Sequence, residues 1–135
     1  MIIDNTDSLS QEVLQALKQD IFSSLRVALP GIVQAWDPET RTATVQPAVR
    51  SRVAVSGKPV LYPLLREVPV FAPRLSDPSL RLNIRPGDAC LLIFADVNID
   101  GWYETGSATL PPSDRQHDLS DAFAFVGWRR GGDAP

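Results

Sequence analysis

"GIVQAWDPETRTATVQPAVR", residues 31–50, decides the fold class of this chain. Residues 31–37 make a candidate first strand, and residues 37–42 a turn with Pro38 at a favoured position. From residue 44 to residue 55 the pattern alternates. Val45, Pro47, Val49, Val53 and Val55 fall on one face, while Thr44, Gln46, Arg50 and Arg52 fall on the other. Successive side chains of a strand point to opposite faces, so this period of two marks a half-buried strand. Pro47 has no N–H for a ladder, which places it at an edge or a bulge.

Strand signals continue downstream. "SGKP" at 56–59 is a turn, and "VLYPLLREVPVFAP" at 60–73 supplies one or two more strands broken by prolines. Residues 74–84 read as an irregular loop. "RPGD" at 85–88 fits a type II turn, with Gly87 supplying the positive φ. "DACLLIFA", residues 88–95, is short and apolar on both faces, which predicts a central buried strand. "DVNIDGWYETG" at 96–106 is a polar connection with an aromatic pair and room for one helical turn. "AFAFVGW", residues 122–128, is the closing strand.

Upstream, the period changes. In residues 8–25, "SLSQEVLQALKQDIFSSL", Leu9, Val13, Leu17 and Ile21 recur every four residues, joined by Leu14 and Leu25. One apolar face on an amphipathic helix follows. Ser8 and Gln11 have the spacing of a capping box, and Leu29-Pro30-Gly31 is the expected stop. The helix face can pack on its own barrel, or dock on a partner protein or a neighbouring copy. The predicted organisation is an N-terminal amphipathic helix (1–29), a small antiparallel β-barrel (30–128) and a flexible C-terminal tail (129–135). The fold class is therefore mainly β, with no internal repeat and no low-complexity tract.

Composition narrows the function classes. The chain has 135 residues, 44% apolar and 21% charged, so it is one globular domain able to bury roughly two thirds of its unfolded surface. Thirteen Lys and Arg stand against sixteen Asp and Glu, for a net charge of −3. With its arginines spread from Arg26 to Arg130, the chain lacks the basic track that a nucleic-acid phosphate backbone requires. Trp36, Trp102, Trp128 and Tyr103, which could stack on bases, read instead as core or interface residues. Arginine, which outnumbers lysine here, favours paired carboxylates and protein interfaces. Cys90 is the one cysteine, so no intrachain disulfide forms, and its apolar setting makes it a buried hydrophobe. No stretch approaches the ~20 apolar residues of a membrane span, and the start lacks the pattern of a signal peptide.

The residues with the most chemical potential surround the single histidine, in "SDRQHDLSDAFAFVGW" at 113–128. His117 has Asp114, Asp118 and Asp121 within four residues. Zinc needs three or four ligands, and calcium a denser loop of oxygens. A catalytic base needs a nucleophile and an oxyanion hole, and no Gly-x-Ser-x-Gly is present. Asp96 and Asp100, spaced like paired glycosidase carboxylates, lack any other sign of a sugar cleft. The reading adopted is a polar turn region whose Asp and Ser side chains bind nearby amides. No enzyme activity, metal or cofactor is expected. A metal-dependent hydrolase at His117 and a single-strand nucleic-acid binder are the alternatives.

Three segments together resemble the N-terminal oligonucleotide/oligosaccharide-binding (OB) fold domain of central spike proteins from contractile-tailed bacteriophages. "LPGIVQAWDPETRTATVQPAVR" is similar to that family's opening hairpin after an N-terminal helix. "RPGDACLLIFADVNIDGWYETG" is similar to its central strand and Asp-Gly-Trp connection, and "DRQHDLSDAFAFVGW" to the segment leading into its last strand. The likeness covers most of residues 26–128. It implies an OB-fold-like barrel, a homotrimer on the tail axis, contacts with hub and baseplate proteins, and a place in the virion after assembly in the host cytoplasm. In that family a triple-stranded β-helix follows, and its tip, often holding an iron in a His-x-His site, breaches the host outer membrane. Here the sequence reaches Pro135 about where that β-helix begins, and no His-x-His occurs. The piercing tip and iron therefore do not carry over, and contact with the outer membrane is expected only indirectly, through a β-helix or a separate spike-tip protein. What carries over is trimerisation and hub docking. Leu9, Val13, Leu17 and Ile21 are the expected docking residues, and Phe123, Phe125 and Trp128 the expected core or three-fold contact. An OB-fold module for nucleic acid or another ligand is the alternative function.

Overall fold

The computed structural model describes residues 2–52, 56–71 and 83–133, the side chains of 2–9 and 52 excepted. It is mainly β, with helix α1 (Ile2–Ser24) ahead of seven strands and a short helix. The strands are β1 (Ala28–Asp37), β2 (Thr42–Pro47), β3 (Arg50–Arg52), β4 (Pro59–Leu61), β5 (Leu65–Pro69), β6 (Ala89–Phe94) and β7 (Ala122–Trp128). Helix α2 (Asp100–Thr105) and a 3₁₀ turn (Leu119–Asp121) lie between β6 and β7. Five strands form one antiparallel sheet in the order β5-β2-β1-β6-β7, and β3 pairs with β4 in a separate ribbon. The sheet curls until its edges touch: Val70 makes a parallel bridge to Ala124, and the Phe71 N–H donates to the Ala124 carbonyl at 2.8 Å. This is the strand order and partial closure of an OB-type barrel.

The deciding stretch folds as the β1–β2 hairpin. Asp37 shapes its turn by accepting from the Glu39 N–H at 3.0 Å, and Arg41 takes a positive φ of 56°. Val45 and Pro47 face inward and are fully buried. Pro47 lies past the end of the β5 pairing, which runs from Thr42 to Val45, so its missing N–H breaks no ladder on that side. The alternation does not continue as one strand, however. The chain bends after Pro47 to begin β3, and Val53 and Val55 lie outside the described residues. In β1, Gln34 is an extra residue against β2. This bulge moves the inward set from Leu29, Gly31 and Val33 to Trp36.

The core fills the concave side with Val33, Ala43, Val45, Leu65, Val68, Val70, Cys90, Leu92, Phe94, Ala122 and Ala124. Gly31 sits where β1 passes close over it: a Cβ there would lie 2.7 Å from Val45 Cγ1 and 3.0 Å from Cys90 Sγ. The "RPGD" turn forms as expected, with Gly87 at φ 97°. Its Gly87 N–H donates to the Val33 carbonyl at 2.8 Å, extending the ladder of β1 on β6.

Three expectations need correction. The helix begins at Ile2, so Ser8 lies in its interior and not at its N-terminus. It ends at Ser24, and Leu29-Pro30-Gly31 is already part of β1. Ser24 Oγ accompanies that end by donating to the Asp20 and Ile21 carbonyls at 2.9 and 3.1 Å. Of the two places expected for Phe123, Phe125 and Trp128, core or three-fold contact, burial excludes the core. Ala122 and Ala124 occupy the buried inner face of β7, and the large rings alternate onto its outer face.

Candidate functional site

Arg115 ties down the segment around the single histidine. Its Nε donates to Asp121 Oδ2 at 2.9 Å and its Nη2 to Asp121 Oδ1 at 2.8 Å, a two-pronged bond. Nη2 also reaches Asn98 Oδ1 at 2.8 Å and Asp100 Oδ2 at 3.1 Å. Asp121 is 0% exposed and also accepts the Ile99 N–H at 3.1 Å, so its charge is fully partnered. The hydrogen bond to Asp121 holds the Arg115 guanidinium protonated well above its ordinary range. Asp118 caps the 3₁₀ turn: its carboxylate accepts the Ser120 N–H at 2.8 Å, which lowers its pKa. The turn reading of this segment is therefore what the structure shows. The Arg115–Asp121 pair that organises it was not anticipated, since a separation of six residues in a loop has no periodic signature.

His117 joins this loop to the start of the sheet. Its backbone adopts a positive φ of 47°, its N–H donates to the Asp96 carbonyl at 3.3 Å, and Nδ1 lies 2.7 Å from the Arg26 carbonyl oxygen. A carbonyl only accepts, so Nδ1 carries the proton. Nε2 lies 3.6 Å from the exposed Asp96 carboxylate. Asp100 turns to Arg115 and Asp96 to His117, so the two carboxylates do not converge as a pair. Cys90 is buried in the core, where desolvation pushes its thiol up to about 11. No group of three or more His, Cys, Asp or Glu side chains among the described residues is placed to hold a metal ion. Nor is any helix among them long and apolar enough to cross a membrane.

Large exposed apolar surfaces are the more informative feature. On α1, Leu17 is 53% exposed and Ile21 51%, and Val13, Leu14 and Phe22 are more exposed still. The helix face predicted from sequence is thus not packed on the sheet. Leu9 belongs to the same row, with its side chain outside the described set. A second apolar surface covers the convex side of β1, β6 and β7. Pro30 pairs with Leu91, Leu91 with Phe125, and Ile93 with Phe123, which aligns outward-facing residues across three strands. Phe125 stacks on Phe71 at 5.3 Å between centroids, and Phe123 packs on Trp102 of α2 at 6.0 Å. Across β1, β6 and the end of β7, Pro30, Ile32, Ala89, Leu91, Trp128 and Arg130 line a groove of about 540 Å³. "ACLLIF" is apolar on both faces for this reason: Cys90, Leu92 and Phe94 enter the core, while Leu91 and Ile93 form the floor of the convex face.

The model of the phage protein Gp138 N-terminal domain family matches residues 29–127. The chain belongs to this family. No curated protein matches it. The family match begins as the chain enters β1 and ends one residue short of the end of β7, so the Gp138 N-terminal domain coincides with the curled sheet. α1 lies outside the matched span. The expected phage family and the mainly β fold both hold, and membership in a phage protein family is consistent with a structural role.

Proposed function

We propose that this Gp138 N-terminal domain is a collar of the phage tail baseplate, joining a central spike to the tail hub as a homotrimer and serving in host envelope penetration without a chemical step of its own. The observation that carries this reading is the exposed apolar face of α1, a row of large side chains beside a sheet that is already fully formed. Leu9, Val13, Leu17 and Ile21 are its contact with other tail subunits, and the rings of Phe123, Phe125 and Trp128 lie on the surface turned toward neighbouring copies. A helix presenting residues at i, i+4 and i+8 is a standard way to engage an apolar groove. Its mechanism is mechanical: a closed ring of small barrels passes the load of sheath contraction to whatever is attached below. The engaged His117 Nδ1, the buried Cys90 and the paired Asp100 support a role without catalysis.

The test is light scattering across a dilution series, followed by a pull-down on the hub protein. A stable trimer that binds hub, and a Leu17→Asp/Ile21→Asp variant that stays folded but loses the hub, are the expected results. Hub capture that survives this double substitution removes the docking assignment. Salt-sensitive binding of a single-stranded oligonucleotide by the monomer would favour the binding-module reading instead.

A further inference from the structure

We propose that His117 is a latch that fixes the direction in which α1 leaves the curled sheet, so that the helix is held out at one angle whatever molecule covers its apolar row.

Among the described residues α1 has no extensive packing on any strand, and its side-chain hydrogen bonds stay within the helix. Its direction is therefore set where it joins the sheet. That junction is short. The helix ladder still holds Leu25, whose N–H donates to the Ile21 carbonyl at 3.0 Å. The sheet ladder already holds Val27, whose carbonyl accepts the Phe94 N–H at 3.0 Å. Only Arg26 lies between them, and a residue has just two soft backbone dihedrals. With both of them free, this one residue would be a hinge.

Arg26 is instead held from two sides. Its carbonyl accepts the His117 Nδ1–H at 2.7 Å, and its guanidinium lies 5.3 Å from the Tyr62 ring centre. Both partners are anchored to the sheet. Gln46 Nε2 of β2 donates to the Tyr62 carbonyl at 2.9 Å. The His117 N–H donates at 3.3 Å to the carbonyl of Asp96, just past the end of β6. On one side of His117, Arg115 is tied to the fully buried Asp121; on the other, Asp118 caps the 3₁₀ turn. The ring is thus presented from a loop that is fixed to the barrel and does not follow the helix.

The backbone of His117 agrees with this role. Its φ of 47° lies in the left-handed region, which glycine enters at no steric cost and most other residues avoid. A residue with a ring donor stands there, and its Nδ1 makes the side-chain bond that joins this loop to the α1 junction. A helix held at one angle loses less freedom on docking than a hinged one, so the latch lowers the ordering cost of any contact that α1 makes. His117 is a positioning residue, acting through Arg26.

Two measurements on the full-length chain test the latch. His117 is the single histidine, so its ring signals in nitrogen-edited NMR are unambiguous. A proton on Nδ1 of the neutral ring is expected; a neutral ring with its proton on Nε2 overturns the proposal. The second measurement is a pulsed electron-spin distance between labels at Gln19→Cys in α1 and Glu39→Cys in the β1–β2 turn. Labelled chain is diluted into unlabelled chain, and Cys90 is buried. A single narrow distance peak is expected with His117 in place. The peak should be lost in His117→Gly, which keeps the positive φ without a donor. It should return in His117→Asn, which tolerates the same φ and carries an N–H in the place of Nδ1. A broad distribution with His117 present, or a peak unmoved by His117→Gly, overturns the latch. A peak that His117→Asn fails to restore assigns the effect to the ring and overturns the hydrogen bond as its cause. The two readings with His117 present decide the proposal if His117→Gly loses its native circular dichroism.

Discussion

Asp121 is the residue on which the loop before β7 depends, because a carboxylate with no exposure must have its charge neutralised and its lone pairs filled. Arg115 supplies two of its hydrogen bonds and the Ile99 N–H a third. Arg115→Ala would leave the carboxylate buried with one donor, and a loss of about 3 kcal/mol is expected in urea unfolding. Replacing both residues with apolar ones of similar size should cost less than the single change. Cys90 provides a pH-dependent counterpart. Its thiol rises from an ordinary 9.0 to about 11 because burial disfavours the thiolate. Below pH 9 both folded and unfolded chains keep this proton, so it has no effect on stability there. Between pH 9 and 11 only the unfolded chain releases it, and stability falls as pH rises. Comparing urea midpoints at pH 8 and pH 10, the wild type should lose about 1.4 kcal/mol more than Cys90→Ala. Equal losses in the two proteins would show that the thiol ionises as readily in the folded chain as in the unfolded one.

At the scale of elements, the sheet is assembled by close approach and by bulges. Gly31→Ala would place a methyl group 2.7 Å from Val45 Cγ1, 3.0 Å from Cys90 Sγ and 3.1 Å from Leu92 Cδ1. Three buried side chains would have to shift together, and overpacking of this kind costs about 1–3 kcal/mol, visible as a lower thermal midpoint. Bulges at Gln34 in β1, at residues 66–67 in β5 and at Gly127 in β7 bend the strands enough to bring β5 against β7. Glu67 and Gly127 take positive φ values of 55° and 96° at two of them. α1 contributes nothing comparable to this core. Deleting residues 1–25 should therefore leave the thermal midpoint of the sheet within a few degrees of the full chain, measured by circular dichroism at 220 nm. A collapse of the fold on deletion would mean that the helix packs on the sheet in solution.

For the whole molecule, stability should be sharply divided. The curled sheet buries eleven apolar residues in one cluster, while the apolar row of α1 is open to water. An isolated helix of this length is marginal, because most helical stability comes from packing of its apolar face. Hydrogen exchange on dilute chain should show α1 amides exchanging orders of magnitude faster than those of β1, β2 and β6. In the proposed assembly the α1 amides should become protected while the sheet changes little. Protection of α1 at every dilution would place its partner within the same chain.

Local periodicity was enough to read much of this protein from residues alone. The β1–β2 hairpin, the Gly87 turn, the β6 and β7 strands and the amphipathic helix each leave a signal within a dozen residues, and all are present. The phage family was legible too, because the order and spacing of three segments survive in a linear string. Other features arise only when distant parts of the chain meet. Which side of "AFAFVGW" faces the core depends on its register with β6 and on the bridge to Val70, which put Ala122 and Ala124 inward rather than the phenyl rings. The roles of Arg115 and His117 depend on Asp121, six residues from Arg115, and on the Arg26 carbonyl, ninety-one residues from His117. The sequence by itself determined the elements and the faces they could bury. The tertiary structure decided which faces are buried, because an inward side chain must fit the volume its neighbours leave, and the apolar rows of α1 and of the convex face were left outside.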